Sequence, residues 1–127
     1  MAEHQGIHNI SAGQEGERIA AVFLKNNGYR ILERNYRCPI GEIDIVAREK
    51  NDLVFVEVKA RKTSALGYPE QAVGYRKQRK MSQLALWYIQ EKKMHGVNAR
   101  FDVVAVRMMP SGPDVKLIRD AFEFVTD

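Results

Sequence analysis

The most constraining feature of this sequence is residues 41–61, which read GEIDIVAREKNDLVFVEVKAR. Two apolar, largely β-branched runs flank a short charged segment, a pattern typical of two antiparallel strands joined by a turn. Asp44, Glu57 and Lys59 nevertheless stand at strand positions where a plain core would carry valine or isoleucine. This conflict between strand pattern and charge is the main functional indication in the sequence.

The register of this hairpin predicts where the charges lie. If residues 49–52 form the turn, Asp44 falls opposite Glu57. Side chains alternate across a strand, so Asp44, Glu57 and Lys59 would share one face, with the two acidic Cβ atoms about 4.5–5.5 Å apart. The opposite face would be apolar and would carry Ile43, Ile45, Val54, Val56 and Val58.

Two carboxylates this close need compensation, because they repel by up to about 4 kcal/mol at about 4 Å and an effective dielectric constant near 20. A paired lysine, a shared proton or a bound cation could each supply it. A set of oxygen ligands, with the backbone carbonyl of Val58 as an extra member, suits Mg²⁺ or Mn²⁺ better than Zn²⁺. The alternative is a salt-bridge cluster on a half-exposed sheet, and the residues alone leave both open.

A first helix is predicted from Ser11 to Gly28. Ser11 and Gln14 have the spacing of a capping box, and glycine suits the left-handed position that ends a helix. Glu17 interacts favourably with the helix dipole, but it also lies near the buried border, which leaves it open to a second function. The residues expected to face the core are Ile19, Ala20, Phe23 and Leu24.

The remaining elements are predicted from the apolar pattern and from the positions of proline and glycine. They are a strand over residues 29–36, a loop over 37–40 that holds Cys38, a polar loop over 61–69, a second helix from Pro69 or Glu70 to about Lys93, a strand over 100–108 and a short edge strand over 115–118. A strand, helix, strand order predicts that the 100–108 strand lies parallel to the Glu57 strand. Trp87 and Tyr88 are expected in or beside the core.

One apolar stripe of the second helix contains a charge. Val73, Met81, Leu84 and Tyr88 recur at helical spacing, and Lys77 stands among them near the helix start. Either its stem packs while the amine reaches water, or the amine points at the carboxylates or at a phosphate.

The charge distribution is uneven, although the net charge is only +4. Residues 59–80 hold seven basic residues against one acid, and the seven are Lys59, Arg61, Lys62, Arg76, Lys77, Arg79 and Lys80. This stretch is a candidate surface for a polyanion such as nucleic acid. A solvated loop and outer helix face explain it equally well.

A length of 127 residues predicts one domain over residues 1–127, with residues 1–10 as a loose arm. No segment is long and apolar enough for a membrane span, and no secretory signal is visible. The single cysteine, Cys38, cannot form an internal disulfide and shows no ligand spacing with the three histidines, so we expect it to be structural. These features predict a cytoplasmic protein.

The ordered motifs EGERIA, NYR, GEIDIVA, LVFVEVKAR and RFDVVAV resemble the YraN family of bacterial proteins and, more distantly, the PD-(D/E)XK nuclease superfamily. The resemblance implies an α/β restriction-endonuclease-like core in αβββαβ order, with a mixed sheet of four to five strands flanked by helices. It also implies that Asp44 and Glu57 bind the metal, that Lys59 is the motif lysine, that Glu17 is the acid of the first helix and that Lys77 is an accessory. Ile43 departs from the proline of the superfamily name.

The resemblance further implies an endonuclease that uses Mg²⁺ or Mn²⁺ to hydrolyse DNA rather than RNA, with branched DNA as a candidate substrate, and it leaves a homodimer open. One alternative is a nucleic-acid-binding or adaptor protein on a nuclease scaffold. Its carboxylates would only balance the charge of nearby lysine and arginine side chains. Another is a protein–protein module with no polyanion partner.

Overall fold

The computed structural model describes residues 11–62 and 73–126. Its elements are, in chain order, α1 (Ala12–Asn26), β1 (Tyr29–Cys38), β2 (Gly41–Glu49), β3 (Asp52–Lys62), α2 (Tyr75–Glu91), β4 (Ala99–Met109) and β5 (Gly112–Phe122). The predicted N-terminal arm and most of the predicted 61–69 loop lie outside the described residues.

The five strands form one mixed sheet in the order β1-β2-β3-β4-β5. β3 and β4 are parallel, as predicted, and the other neighbours are antiparallel. This mixed α/β architecture is consistent with the predicted restriction-endonuclease-like core. The predicted short edge strand is longer than expected, because β5 pairs with β4 from Gly112 to Phe122.

Both faces of the sheet are buried, which explains why its central strands are almost continuously apolar. Val54 and Val56 of β3 pack in a cluster with Ala20 and Leu24 of α1. The alternate residues Leu53 and Phe55 pack in a second cluster on the α2 face, together with Met81, Leu84 and Tyr88. β3 is therefore the centre of the molecule, and the functional motif lies on its second half.

The start of α1 is as predicted. The backbone N–H of Gln14 donates to Ser11 Oγ at 3.1 Å, and the Gln14 side chain accepts from the Ser11 backbone at 3.1 Å. Ala20 and Leu24 are buried, whereas Ile19 and Phe23 are only half-buried.

Gly16 allows α1 to lie unusually close to β3. A Cβ atom at this position would stand 2.3 Å from the Cβ of Ala60, closer than two carbon atoms can approach. The absence of a side chain at Gly16 therefore brings the neighbouring Glu17 toward the sheet.

Several predicted boundaries are wrong. Cys38 is the last residue of β1 rather than part of a loop, and β3 continues through Arg61 to Lys62. α2 begins at Tyr75, because Gly74 has the extended conformation of a residue before a helix. The predicted start at Pro69 or Glu70 lies outside the described residues.

Trp87 is also placed differently from the prediction. It is 39% exposed, while its neighbour Tyr88 is buried as predicted. Within the described parts of the chain, neither helix has the length and apolar character needed to cross a membrane.

Candidate active site

The site begins where β2 and β3 part. Their ladder runs from Glu49↔Asp52 to Ile45↔Val56, which confirms the predicted register. It ends one pair before Asp44 and Glu57, so the prediction that these two residues are ladder partners is wrong.

Instead, Oδ2 of Asp44 accepts a hydrogen bond from the backbone N–H of Val58 at 2.8 Å. The carboxylate of Asp44 therefore lies in the gap between the strands, beside the residue that follows Glu57.

β2 is irregular at Asp44. Ile43 packs in the cluster under α2, whereas Ile45 packs in the cluster under α1. Residues two apart in a regular strand share a face, so the predicted common face is wrong at Ile43. Asn35, on the adjacent part of β1, has a φ of 54°, a left-handed conformation that asparagine tolerates better than most residues. Asn35 lies between Arg34 and Tyr36, the β1 residues that pair with Ile45 and Ile43, so both strands depart from regular geometry at this point.

Glu57 lies on the α2 side of the sheet, since its neighbours Val56 and Val58 belong to the α1 side. Lys77, in the first turn of α2, places its Nζ 3.7 Å from Oε1 of Glu57. The Glu57 side chain is 17% exposed and that of Lys77 is 46% exposed. Lys77 thus points its amine at the carboxylates, which is one of the two alternatives that the sequence left open.

Glu17 reaches the same site from α1. Burial raises the pKa of its carboxyl, and the negative charge of Asp44 raises it further. The Asn35 side chain opposes this rise. Besides its favourable interaction with the helix dipole, Glu17 therefore interacts with Asp44.

The three carboxyl groups share one electrostatic property, which is a raised pKa. Burial raises the pKa of Asp44, and the Val58 N–H and Lys77 oppose this shift. Burial also raises the pKa of Glu57, and the charge of Asp44 adds to the effect. We name Glu17, Asp44, Glu57, Lys59 and Lys77 the carboxylate cluster. Its two lysines are fewer than its three half-buried acids, an arrangement that favours uptake of a proton or another cation.

Lys59 belongs to this cluster through Glu57, whose negative charge it stabilises. It is fixed on β3 two residues after Glu57, on the same face of the strand. All of the acids and lysines that the motifs imply are therefore brought together, although they come from four different elements.

The oxygen atoms of this cluster fit a hard divalent cation. Asp44 and Glu57 offer carboxylate oxygens, and the Val58 carbonyl points to the same edge of β3 as the Val58 N–H that binds Asp44. Mg²⁺ is commonly held by one or two carboxylates and several waters. In residues 11–62 and 73–126, no three Asp, Glu, His or Cys side chains form a complete metal cage.

Basic side chains lie next to the cluster on α2. An open groove of about 630 Å³ is lined by Gly74, Arg76, Lys77, Arg79, Lys80 and Gln83, and we name it the basic groove. Lys80 also lies close to Gly41, at the start of β2. Arg61 and Lys62 are exposed at the end of β3. Lys77 is the residue that the cluster and the basic groove share.

A second charged cluster lies at the other end of β3. Arg100 donates to Glu49 at 3.0 Å and to Asp102 at 3.1 Å, and it also pairs with Asp52. Arg119 donates to Glu49 at 2.7 Å, and the Tyr29 hydroxyl donates to Asp102 at 2.7 Å. We name Glu49, Asp52, Arg100, Asp102 and Arg119 the arginine cluster. Asp102 is thus held in an ion pair with Arg100.

Sequence reasoning did not single out Asn35 or Gly16. Asn35 lies within the NYR motif, and its tolerance of positive φ is a signal that could have marked it. The close approach at Gly16 depends on Ala60, which lies far away in the sequence. Cys38 packs against the α2-side core, in keeping with the structural role expected of it.

Comparison with known proteins places the chain in a family. A model of the uncharacterised protein family UPF0102 matches residues 16–106. A UPF0102 protein of Syntrophus aciditrophicus is 52% identical over 115 residues, which cover 91% of each chain. One from Desulfosudis oleivorans is 50% identical and covers 87% of this chain and 89% of its own, and one from Clostridium botulinum is 48% identical and covers 91% and 96%. The chain therefore belongs to the uncharacterised family UPF0102, the YraN family that its motifs predict.

Proposed function

We propose that this protein is an endonuclease that hydrolyses phosphodiester bonds of DNA with the help of Mg²⁺ or Mn²⁺. The observation that carries the proposal is the meeting of three half-buried carboxyl groups of raised pKa with a groove of exposed basic side chains. Perturbed carboxyls in a cleft are typical of functional sites, and basic grooves are typical of surfaces that bind phosphates.

In this proposal Asp44, Glu57 and the Val58 carbonyl hold the cation. When bound, such a cation stabilises the negative charge that develops on the phosphoryl oxygens and lowers the pKa of a bound water. The Val58 N–H holds one oxygen of Asp44, and the second oxygen would bind the cation. The metal is thus held by strand residues whose positions the core determines.

The lysines and Glu17 act around these ligands. Lys59, fixed on the same face as Glu57, would orient the attacking water or stabilise charge on the phosphate. Burial and the charge of Asp44 raise the pKa of Glu17, so Glu17 is suited to hold a proton next to the reacting groups.

The basic groove supplies substrate binding. Arg76, Arg79 and Lys80 are exposed, and they would contact backbone phosphates without reading base edges. Binding of this kind is sensitive to salt and follows the shape of the DNA. The family resemblance adds branched DNA as the candidate substrate.

A second candidate function is nucleic-acid binding without hydrolysis. The ion pair between Lys77 and Glu57, and the Val58 hydrogen bond to Asp44, already compensate part of the negative charge. A protein of this kind would bind DNA or RNA equally well with and without metal, and Asp44→Asn would leave that binding unchanged.

The test is a cleavage panel over four-way, flapped, single-stranded and linear DNA with Mg²⁺ or Mn²⁺. We expect cleavage by the wild type and a loss of at least about a hundredfold in Glu57→Ala, because a metal ligand is removed. Glu123→Gln, an exposed acid after β5, is the matched control and should retain activity. Metal-dependent binding without cleavage, or equal cleavage by Glu57→Ala, would contradict the proposal.

A further inference from the structure

Lys77 belongs to two sites at once. Its amine lies 3.7 Å from Glu57 in the carboxylate cluster, while its side chain lines the basic groove beside Arg76, Arg79 and Lys80. Those three basic residues form no ion pair with an acid in the described parts of the chain. Lys77 is therefore the basic residue of the groove whose charge is already engaged by the candidate metal ligands.

The ion pair between Lys77 and Glu57 can break at a low cost in free energy. The Lys77 side chain is 46% exposed and flexible, and ion pairs of this exposure are worth little in water. Glu57, by contrast, is 17% exposed and held on the central strand. When the pair breaks, the amine can move along the groove while the carboxylate stays in place.

A phosphate and a cation both favour the open arrangement. An ammonium group beside Oε1 of Glu57 competes with any cation for the same carboxylate charge. A backbone phosphate in the basic groove offers the ammonium group a new partner of the same sign as Glu57. Lys59 has no such alternative, because it lies on β3 and does not line the groove.

We propose that Lys77 exchanges partners, pairing with Glu57 in the free protein and with a nucleic-acid phosphate in the complex. The exchange frees Glu57 for the divalent cation, so nucleic acid and cation bind cooperatively. Because coupling between two ligands is reciprocal, each raises the affinity of the other by the same factor. This inference rests on the proposed function and makes Lys77 a positioning residue that delays assembly of the metal site until substrate is present.

The first measurement is Mn²⁺ binding to the protein without nucleic acid, followed by electron paramagnetic resonance. Lys77→Met should bind Mn²⁺ about fivefold more tightly than the wild type, since it removes a competing ion pair of ordinary surface strength. Lys80→Met is the matched control, because it removes a lysine from the same groove that forms no ion pair with Glu57. Its Mn²⁺ affinity should equal that of the wild type.

The second measurement is binding of a labelled four-way DNA junction at constant ionic strength, by stopped-flow anisotropy that reads binding before hydrolysis. Mn²⁺ should raise the affinity of the wild type and of Lys80→Met by about fivefold, and should not raise that of Lys77→Met. The exposed position of Lys77 should leave folding intact, which a circular dichroism spectrum verifies.

The outcomes separate the two proposals. If the wild type binds both Mn²⁺ and DNA, but Lys77→Met has wild-type Mn²⁺ affinity or unchanged coupling, the exchange is wrong and the proposed function stands. If the wild type binds neither Mn²⁺ nor DNA, the proposed function fails and the exchange fails with it.

Discussion

The two charged clusters at the ends of β3 each gather three acids, yet they differ in how the acids are compensated. In the arginine cluster, hydrogen bonds from Arg119 and Arg100 lower the pKa of Glu49, and bonds from Asn98 and Arg100 lower that of Asp52. In the carboxylate cluster, burial raises the pKa of Glu17, Asp44 and Glu57. The folded state therefore favours the ionised forms of Glu49 and Asp52, and it disfavours those of the three carboxyl groups in the carboxylate cluster.

We propose that this difference separates a structural role of the arginine cluster from a functional role of the carboxylate cluster. A set of acids paired with guanidinium groups stabilises the fold in which it is found. A set of half-buried acids with too few positive charges beside it costs stability, and such sites are retained where a ligand or a reaction needs them. The number of acids in a cluster therefore says less about function than the supply of cations.

The largest effect is expected from breaking the arginine cluster. Asp102 is fully buried, so Arg100→Met would leave a buried carboxylate without its cation. We expect a loss of about 3–5 kcal/mol in the free energy of unfolding, measured by urea denaturation. Arg18→Met removes an exposed helix pair and should cost far less. Equal losses in the two variants would show that the arginine cluster is not structural.

A smaller effect is expected from moving α1 against the sheet. In Gly16→Ala the new methyl group would overlap Ala60, so we expect a loss of about 1–3 kcal/mol, the usual range for overpacking. Adding Ala60→Gly should restore stability. Gly13→Ala, on the open side of the same helix, should instead stabilise the protein. If Gly16→Ala is as stable as Gly13→Ala, the close approach that positions Glu17 is wrong.

At the carboxylate cluster, we expect a substitution to raise the free energy of unfolding rather than to lower it. Asp44→Asn keeps an oxygen for the Val58 N–H and removes a half-buried charge, so it should stabilise the metal-free protein at pH 7 by about 0.5–2 kcal/mol. Glu49→Gln, in the arginine cluster, should lose stability. Thermal unfolding without divalent ions measures both changes, and destabilisation of both variants would remove the contrast between the clusters.

The smallest effect is the change with pH of the stability gained by Asp44→Asn. Because the folded-state pKa of Asp44 is raised, its proton stabilises the fold at low pH, and this stabilisation is lost as pH rises through the folded pKa. The advantage of Asp44→Asn should therefore be largest near pH 7 to 8 and should fade below the ordinary value of 3.8. Glu49 should behave oppositely, losing its contribution as the pH falls. An advantage that does not vary with pH would contradict the raised pKa of Asp44.

The sequence predicts much of the fold because its strands and α1 carry strong local signals. The alternating runs specify the β2–β3 register, and the capping box specifies the start of α1. The ladder ends at Ile45, and Asp44 lies in the gap next to the part of β1 where Asn35 has a positive φ. The sequence pattern of β2 and β3 does not predict where their pairing ends. The apolar stripe of α2 includes Val73, but the helix begins only at Tyr75, because Gly74 has an extended backbone.

The candidate site was predictable as a set of residues but not as a geometry. The motifs named Glu17, Asp44, Glu57 and Lys59, and the structure brings these residues together. The raised pKa values of the three acids depend on burial by α1 and α2. The sequence motifs do not predict this burial. The ion pair between Lys77 and Glu57 likewise follows from packing of α2 on the sheet.

The most direct test of the carboxylate cluster is a pH titration of the side-chain carboxyl ¹³C signals by NMR, with and without Mg²⁺. We predict that Glu17, Asp44 and Glu57 titrate above the ordinary range, that Glu49 and Asp52 titrate below it, and that Mg²⁺ shifts the signals of Asp44 and Glu57 but not those of the arginine cluster. Ordinary titration of all five acids, with no response to Mg²⁺, would contradict the assignment of this cluster as a cation site.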